Sequence, residues 1–227
     1  MDSLEDFLDL VLPSCCALCN TSGANLCQEC KAKLALSVIK VNRLEISGYA
    51  TTTYTEQIAI LIHEFKESQQ TSLAKVFAHA MLPAFSNFDL QECGLVFMPS
   101  KNKSFANRGF VPAKILATRL SRLIAKQHKV LVPVYNGLGY SPAAATQIDD
   151  QAALSGQDRR TNLIGKMQTR GIPKFYRAIL IDDVVTTGST LTEAKRALGV
   201  IGVEVLGFVA FAETLPKNKQ NRHKDSV

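Results

Sequence analysis

Residues 178–191 have the sequence AILIDDVVTTGSTL, and this stretch decides the fold. Its first four residues are apolar, which predicts a strand. Asp182 and Asp183 follow, and a turn rich in hydroxyl groups and glycine then leads into a segment of helical period near residues 190–200. The stretch is therefore predicted to form a strand, an acidic strand end, a polar turn and a helix.

Apolar runs alternate with helical segments over the C-terminal half of the chain. The runs typical of strands cover residues 95–98, 130–134, 178–181 and 203–211, and helical periods cover residues near 111–126 and 190–200. This alternation predicts an α/β fold with a parallel sheet flanked by helices, and such sheets bind ligands at the carboxyl ends of their strands. Upstream, residues 43–54 favour a strand, and residues 58–81 favour two helices.

The polar turn has the chemistry of a phosphate site. It directs backbone N–H groups, hydroxyls and the positive end of a helix to one place, and it consists of Thr186, Thr187, Gly188, Ser189 and Thr190. Two carboxylates beside a phosphate suit the neighbouring hydroxyls of a ribose, so a 5-phosphoribosyl group fits both features. The alternative is that residues 183–190 only cap a helix. A Walker-type loop is absent from the sequence.

The strand, acidic pair and T-T-G-S-T turn resemble the fingerprint of the type I phosphoribosyltransferases over about 13 positions. The resemblance implies binding of phosphoribosyl pyrophosphate (PRPP) together with magnesium, which would bridge the pyrophosphate and ribose oxygens. It also implies that Asp182 and Asp183 hold the ribose hydroxyls and that the turn holds the 5-phosphate.

Five of the six cysteines lie between positions 15 and 30. The spacing Cys16-x2-Cys19-x7-Cys27-x2-Cys30 gives two C-x-x-C pairs, which predict a closed, structural four-thiolate zinc site. Two alternatives are reduced cysteines packed as apolar side chains and a redox dithiol, and Cys15 could replace Cys16 as a ligand.

A four-cysteine knuckle ahead of a phosphoribosyltransferase core resembles the ComF family of competence-associated proteins over nearly the whole chain. Arg108, Gly109 and Phe110 match the R-G-F-N-Q stretch of that family, but Val111 and Pro112 replace its Asn and Gln. The family pattern Q-x-x-L-x-x-x-x-R-x-x-N is matched at Gln151, Leu154, Arg159 and Asn162.

The resemblance implies roles for several further residues. Ser100 and Lys101, after the first core strand, would face the pyrophosphate, and Arg108 would assist them. Residues 135–160, with Gln151 and Arg159, occupy the position of a mobile loop that closes over the substrate. If the protein is catalytic, Asp182, Asp183 and Arg108 are the expected participants, and no general base is evident.

Residues 94–134 contain eight Lys or Arg residues and no Asp or Glu. This segment is either a solvated basic helix face or a track for single-stranded DNA. The whole chain has 26 Lys and Arg against 20 Asp and Glu, a net charge of +6 that favours anionic partners.

Composition and length limit the class of protein. The chain has 227 residues, 46% of them hydrophobic, which excludes fibrous and wholly disordered classes. We expect a zinc knuckle with a leading helix (residues 1–36), a helical hood (37–93), a phosphoribosyltransferase core (94–214) and a basic disordered tail (215–227). No membrane span or signal peptide is expected, and the location is predicted to be cytoplasmic.

The functional prediction is a ComF-like protein that binds PRPP and acts in DNA uptake or DNA processing, with turnover left open. Its expected partners are PRPP, single-stranded DNA, and a competence helicase or other DNA-uptake proteins. The alternative is an active phosphoribosyltransferase in nucleobase or amine salvage.

Overall fold

A six-stranded sheet forms the centre of the computed structural model, which describes residues 15–67, 72–100, 105–106, 108–141 and 165–215. In chain order its strands are β1 (Ile39–Arg43), β2 (Ile46–Thr53), β3 (Cys93–Phe97), β4 (Val134–Tyr135), β7 (Arg177–Val185) and β8 (Glu204–Glu213). They lie in the order β1-β2-β8-β7-β3-β4, and every pair is parallel except β1 with β2. Two short strands, β5 (Leu138–Tyr140) and β6 (Met167–Thr169), pair separately. The predicted α/β class is confirmed.

The described helices of nine or more residues carry apolar residues at helical spacing and bury them in the core. They are α1 (Gln28–Lys33), α2 (Glu56–Glu67), α3 (Leu73–Met81), α4 (Pro112–His128) and α5 (Ser189–Gly199), with a 3-10 helix at Leu82–Asn87. The expected pair of helices upstream of the core corresponds to α2 and α3. Phe65 of α2 and Phe77 of α3 are fully buried and pack edge to face, with ring centroids 5.4 Å apart.

Among the described residues, no helix combines the length and the apolar character that crossing a bilayer requires.

The connections of the sheet create a crevice between two neighbouring strands. The chain passes from β3 through α4 to β4 on one side, and from β7 through α5 to β8 on the other. Phe97 of β3 lies opposite Ile181 of β7, and the Met98 N–H donates to the Ile181 carbonyl at 2.9 Å. Because the chain leaves these adjacent strands in opposite directions, their carboxyl ends flank an open crevice, where ligands of such sheets bind.

Two strands differ in extent from the sequence expectation. β7 continues through both aspartates to Val185, whereas the predicted strand over residues 130–134 is reduced to Val134 and Tyr135. Proline lacks the N–H that a strand ladder needs, and Pro133 contributes only its carbonyl, which accepts from the Leu95 N–H at 2.8 Å. The run before Val134 is therefore mainly a connection.

The N-terminal segments pack on the same core as the sheet. Cys16 and Leu26 are buried in that core, and the Asn25 side chain donates to the Ser72 hydroxyl at 2.5 Å. The segment expected to form a hood supplies β1 and β2, and β2 pairs with β8. The expected boundaries at residues 36, 93 and 214 stay predictions. The leading helix and residues 216–227 of the tail lie outside the described residues.

Candidate functional site

The acidic pair lies at the carboxyl end of β7, beside the crevice. Successive side chains of a strand project to opposite faces of a sheet, so Asp182 and Asp183 face different surroundings. The Asp183 carboxylate is 10% exposed and pairs with the ammonium of Lys66 at 2.9 Å. Asp182 accepts a hydrogen bond from the Asp183 N–H at 2.9 Å. The two carboxyl groups are therefore held in distinct positions at one strand end.

Burial and the neighbouring charge change the acidity of this pair. Burial, followed by the charge of Asp183, raises the pKa of Asp182 to about 8, and Lys66 opposes that rise. Burial and the charge of Asp182 raise the pKa of Tyr140, on β5, to about 12. The raised pKa favours the protonated form of Asp182, so the pair carries less negative charge beside an anionic ligand than two ordinary carboxylates would.

The polar turn over residues 186–190 brings hydroxyl groups together at the start of α5. Gly188 is the residue before the helix and has a left-handed backbone, with φ of +84°, which glycine adopts without steric cost. The hydroxyls of Thr187 and Ser189 are 2.9 Å apart, and the Ser189 N–H donates to the Thr187 oxygen at 3.4 Å. The first N–H groups and the positive end of the 11-residue helix meet these hydroxyls, an arrangement that suits a phosphate.

The structure places Ser100 and Arg108 on the same side of the molecule as the acidic pair. Ser100 comes three residues after the end of β3, whose last residue, Phe97, lies opposite Ile181, the residue before Asp182 in β7. Arg108 pairs with Glu67, donating from Nε to the carboxylate at 2.9 Å. Because Glu67 follows Lys66 at the end of α2, this helix end links Arg108 to Asp183. Arg108 is therefore connected to Asp183 indirectly, through two adjacent residues of α2.

Three of the expected site residues, Lys101, Gln151 and Arg159, lie outside the described residues, as does Asn162. Of the expected mobile loop over residues 135–160, the structure describes only 135–141, which belong to the end of β4, to β5 and to the residues beside them.

Sequence reasoning missed three residues at the site. Lys66 pairs with Asp183, Tyr140 lies close to Asp182, and the Arg43 side chain donates to the Thr186 carbonyl at 2.7 Å. Each is distant in sequence from residues 182–190, so no local motif connects them. A basic residue in the last turn of α2 was the one available signal for Lys66, and it is shared by many helices.

A second cluster consists of four cysteines in the N-terminal segment. The sulfur atoms of Cys16, Cys19, Cys27 and Cys30 all lie within 4.8 Å of one another. Four sulfurs at about 2.3 Å from a tetrahedral zinc lie roughly 3.8 Å apart, and the Cys19 and Cys27 sulfurs are 3.6 Å apart. Cys15 is outside this set and contacts Ser22. The cluster could hold a metal ion, and it uses Cys16 in preference to Cys15.

The thiols of this cluster are crowded in a way that favours a cation. Burial alone would raise the pKa of Cys16, but N–H groups, first that of Cys27, lower it to about 6. Hydrogen bonding with Cys27, together with the other thiols, raises the pKa of Cys30 to about 12. Because several thiolates so close together repel one another, a bound metal ion is needed to deprotonate all four.

The strand pair β5–β6 is attached to α5, the helix that begins at the polar turn. The Glu193 side chain of α5 is 3% exposed and accepts a hydrogen bond from the Met167 N–H at 2.9 Å. Arg196 donates to Glu193 from two nitrogens at 2.8 Å and to the Met167 carbonyl at 2.9 Å. This contact fixes the strands that precede and follow residues 142–164.

Comparison with known proteins identifies the family of the core. A model described as "Phosphoribosyl transferase domain" matches residues 104–227. "Competence protein F" of Haemophilus influenzae is 30% identical over 159 residues, which are 66% of each chain. "DNA utilization protein YhgH" of Escherichia coli O157:H7 is 27% identical over 150 residues, 64% of this chain and 62% of that protein.

A shorter match is found with "Hypoxanthine/guanine phosphoribosyltransferase" of Methanosarcina mazei. It is 44% identical over 46 residues, 20% of this chain and 24% of that protein. The chain thus spans just under two thirds of the first of these relatives and less of the other two. The chain belongs to the phosphoribosyl transferase domain family, and its resemblance to the ComF proteins is confirmed by its similarity to competence protein F.

Proposed function

We propose that this protein binds PRPP together with Mg²⁺ in the crevice between β3 and β7 and acts in DNA uptake or DNA processing. One observation carries the first part. The acidic pair and the hydroxyl-rich start of α5 lie at the same strand end, beside the crevice that the opposite connections of β3 and β7 create. To bind a ribose 5-phosphate, a protein needs groups that accept hydrogen bonds from the ribose hydroxyls, and next to them a set of donors for the phosphate.

Each part of PRPP has a matching group in the chain. The turn over residues 186–190 binds the 5-phosphate through N–H groups and hydroxyls, and Asp182 and Asp183 accept hydrogen bonds from the ribose hydroxyls. The pyrophosphate lies toward Ser100, Lys101 and Arg108. Gln151 and Arg159 belong to the segment that would cover the bound ligand.

The donor set is compatible with Mg²⁺, which prefers oxygen ligands such as carboxylates and phosphates. The two aspartates supply carboxyl oxygens at the strand end, and PRPP itself brings phosphate oxygens. When bound with PRPP, magnesium neutralises charge on the pyrophosphate and so makes it a better leaving group.

If the protein catalyses transfer, the chemistry follows from these positions. An amine or ring nitrogen forms a bond to the anomeric carbon while the bond from that carbon to the pyrophosphate oxygen breaks, and pyrophosphate leaves. Positive charge develops on the ribose ring, and the carboxyl groups of the acidic pair stabilise it. Salvage of a nucleobase or amine is the second candidate function, and the match to a protein named as a hypoxanthine/guanine phosphoribosyltransferase favours it.

The second part of the proposal concerns DNA. Two relatives carry names that refer to competence and DNA utilization. On α4, Lys114, Arg122 and Lys126 are exposed and lie eight and four residues apart, which places them on one face. The helix begins beside the crevice and is about 25 Å long, so this basic face would lead single-stranded DNA away from the ligand site.

Two further parts of the proposal concern metal and location. The four-cysteine cluster binds structural zinc, which stabilises a segment too short to build its own core. Thiolates that must stay reduced support a cytoplasmic location, where competence helicases and other DNA-uptake proteins are the expected partners.

Calorimetric titration of PRPP with Mg²⁺ into the zinc-loaded protein tests the ligand. We expect saturable binding by the wild type and its loss in the double variant Asp182→Asn, Asp183→Asn. The matched control is Glu204→Gln, an exposed carboxylate at the first residue of β8, which should bind as the wild type does. Absence of binding by the folded wild type would overturn the proposal.

Two further measurements separate the remaining alternatives. Pyrophosphate release with a panel of nucleobases and amines distinguishes salvage from binding without turnover. For DNA, Arg122→Glu with Lys126→Glu should weaken the binding of a single-stranded oligonucleotide at least tenfold and leave PRPP binding unchanged. Wild-type affinity that does not decrease with rising salt would exclude a track that binds phosphates.

A further inference from the structure

Arg43 is the last residue of β1 and lies 143 positions before the turn that it contacts. Its guanidinium donates from Nε to the Thr186 carbonyl at 2.7 Å. From Nη2 it donates to the Glu213 carboxylate at 2.5 Å and to the Thr214 carbonyl at 2.8 Å. The Arg43 side chain is 11% exposed. A nearly buried guanidinium with these partners connects the polar turn to the end of β8 and fixes the position of one relative to the other.

The stem of the same side chain packs against the turn. A Cβ added to Gly188 would lie 2.5 Å from the Arg43 Cβ, which is too close for any side chain. Glycine at position 188 therefore serves two needs: its left-handed backbone and the close approach of β1. Arg43 therefore packs against the turn, and α5 continues the chain from its end.

The bond to Thr186 determines which way one peptide group faces. In a trans peptide the carbonyl and the following N–H point in opposite directions. Because Arg43 holds the Thr186 carbonyl toward itself, the Thr187 N–H faces away from Arg43. This orientation also keeps a carbonyl oxygen, which would repel an anion, on the Arg43 side of that peptide.

We propose that Arg43 is a positioning residue for the 5-phosphate: it orients the Thr186–Thr187 peptide so that an N–H group, and not a carbonyl, faces the phosphate. The inference rests on the proposed function, because it presupposes that the turn binds the 5-phosphate. Arg43 does not itself contact the ligand.

Two fragments of PRPP distinguish this role from a general structural one. Ribose 5-phosphate probes the turn, and pyrophosphate with Mg²⁺ probes the opposite side of the crevice. Replacement of Arg43 by Met should weaken ribose 5-phosphate binding at least tenfold and change pyrophosphate affinity less than twofold. Arg43→Lys keeps the charge near Glu213 but loses the Nε donor, so we expect it to show the same selective loss and to decide the question if Arg43→Met fails to fold.

The matched control is Lys195→Met. Lys195 donates to the Glu45 carbonyl at 3.1 Å, so this change removes another contact of the β1–β2 connection without touching the turn, and both affinities should stay as in the wild type. Equal weakening of both fragments, or unchanged ribose 5-phosphate affinity in both Arg43 variants, would overturn the role of Arg43. A wild type that binds neither fragment nor PRPP would overturn the proposed function and this inference with it.

Discussion

Asp182 takes part in the sheet through its backbone and in the candidate site through its carboxyl group. Its backbone continues the pairing of β7 with β8, opposite Ala210, while its carboxyl group sits where burial and Asp183 raise its pKa to about 8. A carboxyl group whose pKa is raised by folding lowers stability as the pH rises above its unfolded pKa, because the folded state keeps a proton that the unfolded chain releases. Such an arrangement is typical of functional sites, where stability is sacrificed for chemistry.

The pH dependence of stability tests this pKa. Between about pH 4, where the carboxyl group of an unfolded chain ionises, and about pH 8, the folded protein binds one more proton than the unfolded chain at this position. The contribution of Asp182 to stability therefore decreases with rising pH over that range. The melting temperature of Asp182→Asn should exceed that of the wild type by a margin that grows up to about pH 8 and then levels off.

Asp89→Asn is the control for that measurement. The Gln91 N–H and Arg177 lower the pKa of Asp89, so this carboxylate stabilises the fold above its unfolded pKa, and that contribution is lost only in acid. Its variant should differ from the wild type by a constant amount from about pH 6 to about pH 9. A constant difference for Asp182→Asn as well would contradict the raised pKa.

The sequence indicated the site residues that are contiguous in the chain, but not those that come from distant elements. The acidic pair and the turn are contiguous in residues 182–190, so local pattern was enough to predict them. Lys66 and Arg43 reach the same place from α2 and β1. Their positions depend on how those elements pack, and no spacing within the chain encodes that.

Among the elements, α5 and the strand pair β5–β6 show how tertiary contacts replace local preference. Strands of three residues are too short to be stable alone. They are held because Glu193 accepts a hydrogen bond from the Met167 N–H, and Arg196 donates both to Glu193 and to the Met167 carbonyl. The sequence predicted α5 well, since its apolar residues recur at helical spacing. It did not predict β5 or β6, because three-residue strands carry no periodic signal.

Replacement of Glu193 by Gln tests this attachment. The amide keeps one acceptor for Met167 but loses the ion pair with Arg196, so we expect a loss of about 2 kcal/mol in stability. Amide hydrogen exchange at Met167 should become at least tenfold faster. Glu204→Gln, an exposed carboxylate, is the control and should leave both values unchanged. Unaltered exchange at Met167 would show that another contact holds the strand pair.

For the whole molecule, the cysteine knuckle and the sheet share one hydrophobic core. Cys16 and Leu26 are buried in it, and Asn25 bonds Ser72 at the start of α3. The C-x-x-C spacing predicted the grouping of the four thiols, because two residues between cysteines bring their sulfurs to one point. It did not predict that the knuckle would lie on the core, which depends on the apolar side chains between the two pairs.

Removal of the metal tests the connection between knuckle and core. We expect bound zinc in the purified protein, and chelation should lower the melting temperature by about 10 °C, since two buried side chains and one hydrogen bond are lost. Scanning calorimetry with metal analysis measures both. Cys15→Ser should behave as the wild type, whereas Cys27→Ser should resemble the chelated protein. An unchanged melting temperature after complete loss of zinc would contradict the shared core.

The two outer strands of the sheet also affect how molecules meet one another. At one border β4 offers only two residues, and at the other β1 carries the exposed, charged side chain of Lys40. A border with few free N–H and C=O groups, or with charged side chains, is a poor template for a strand from another molecule. We therefore expect the folded protein to resist edge-to-edge aggregation when concentrated.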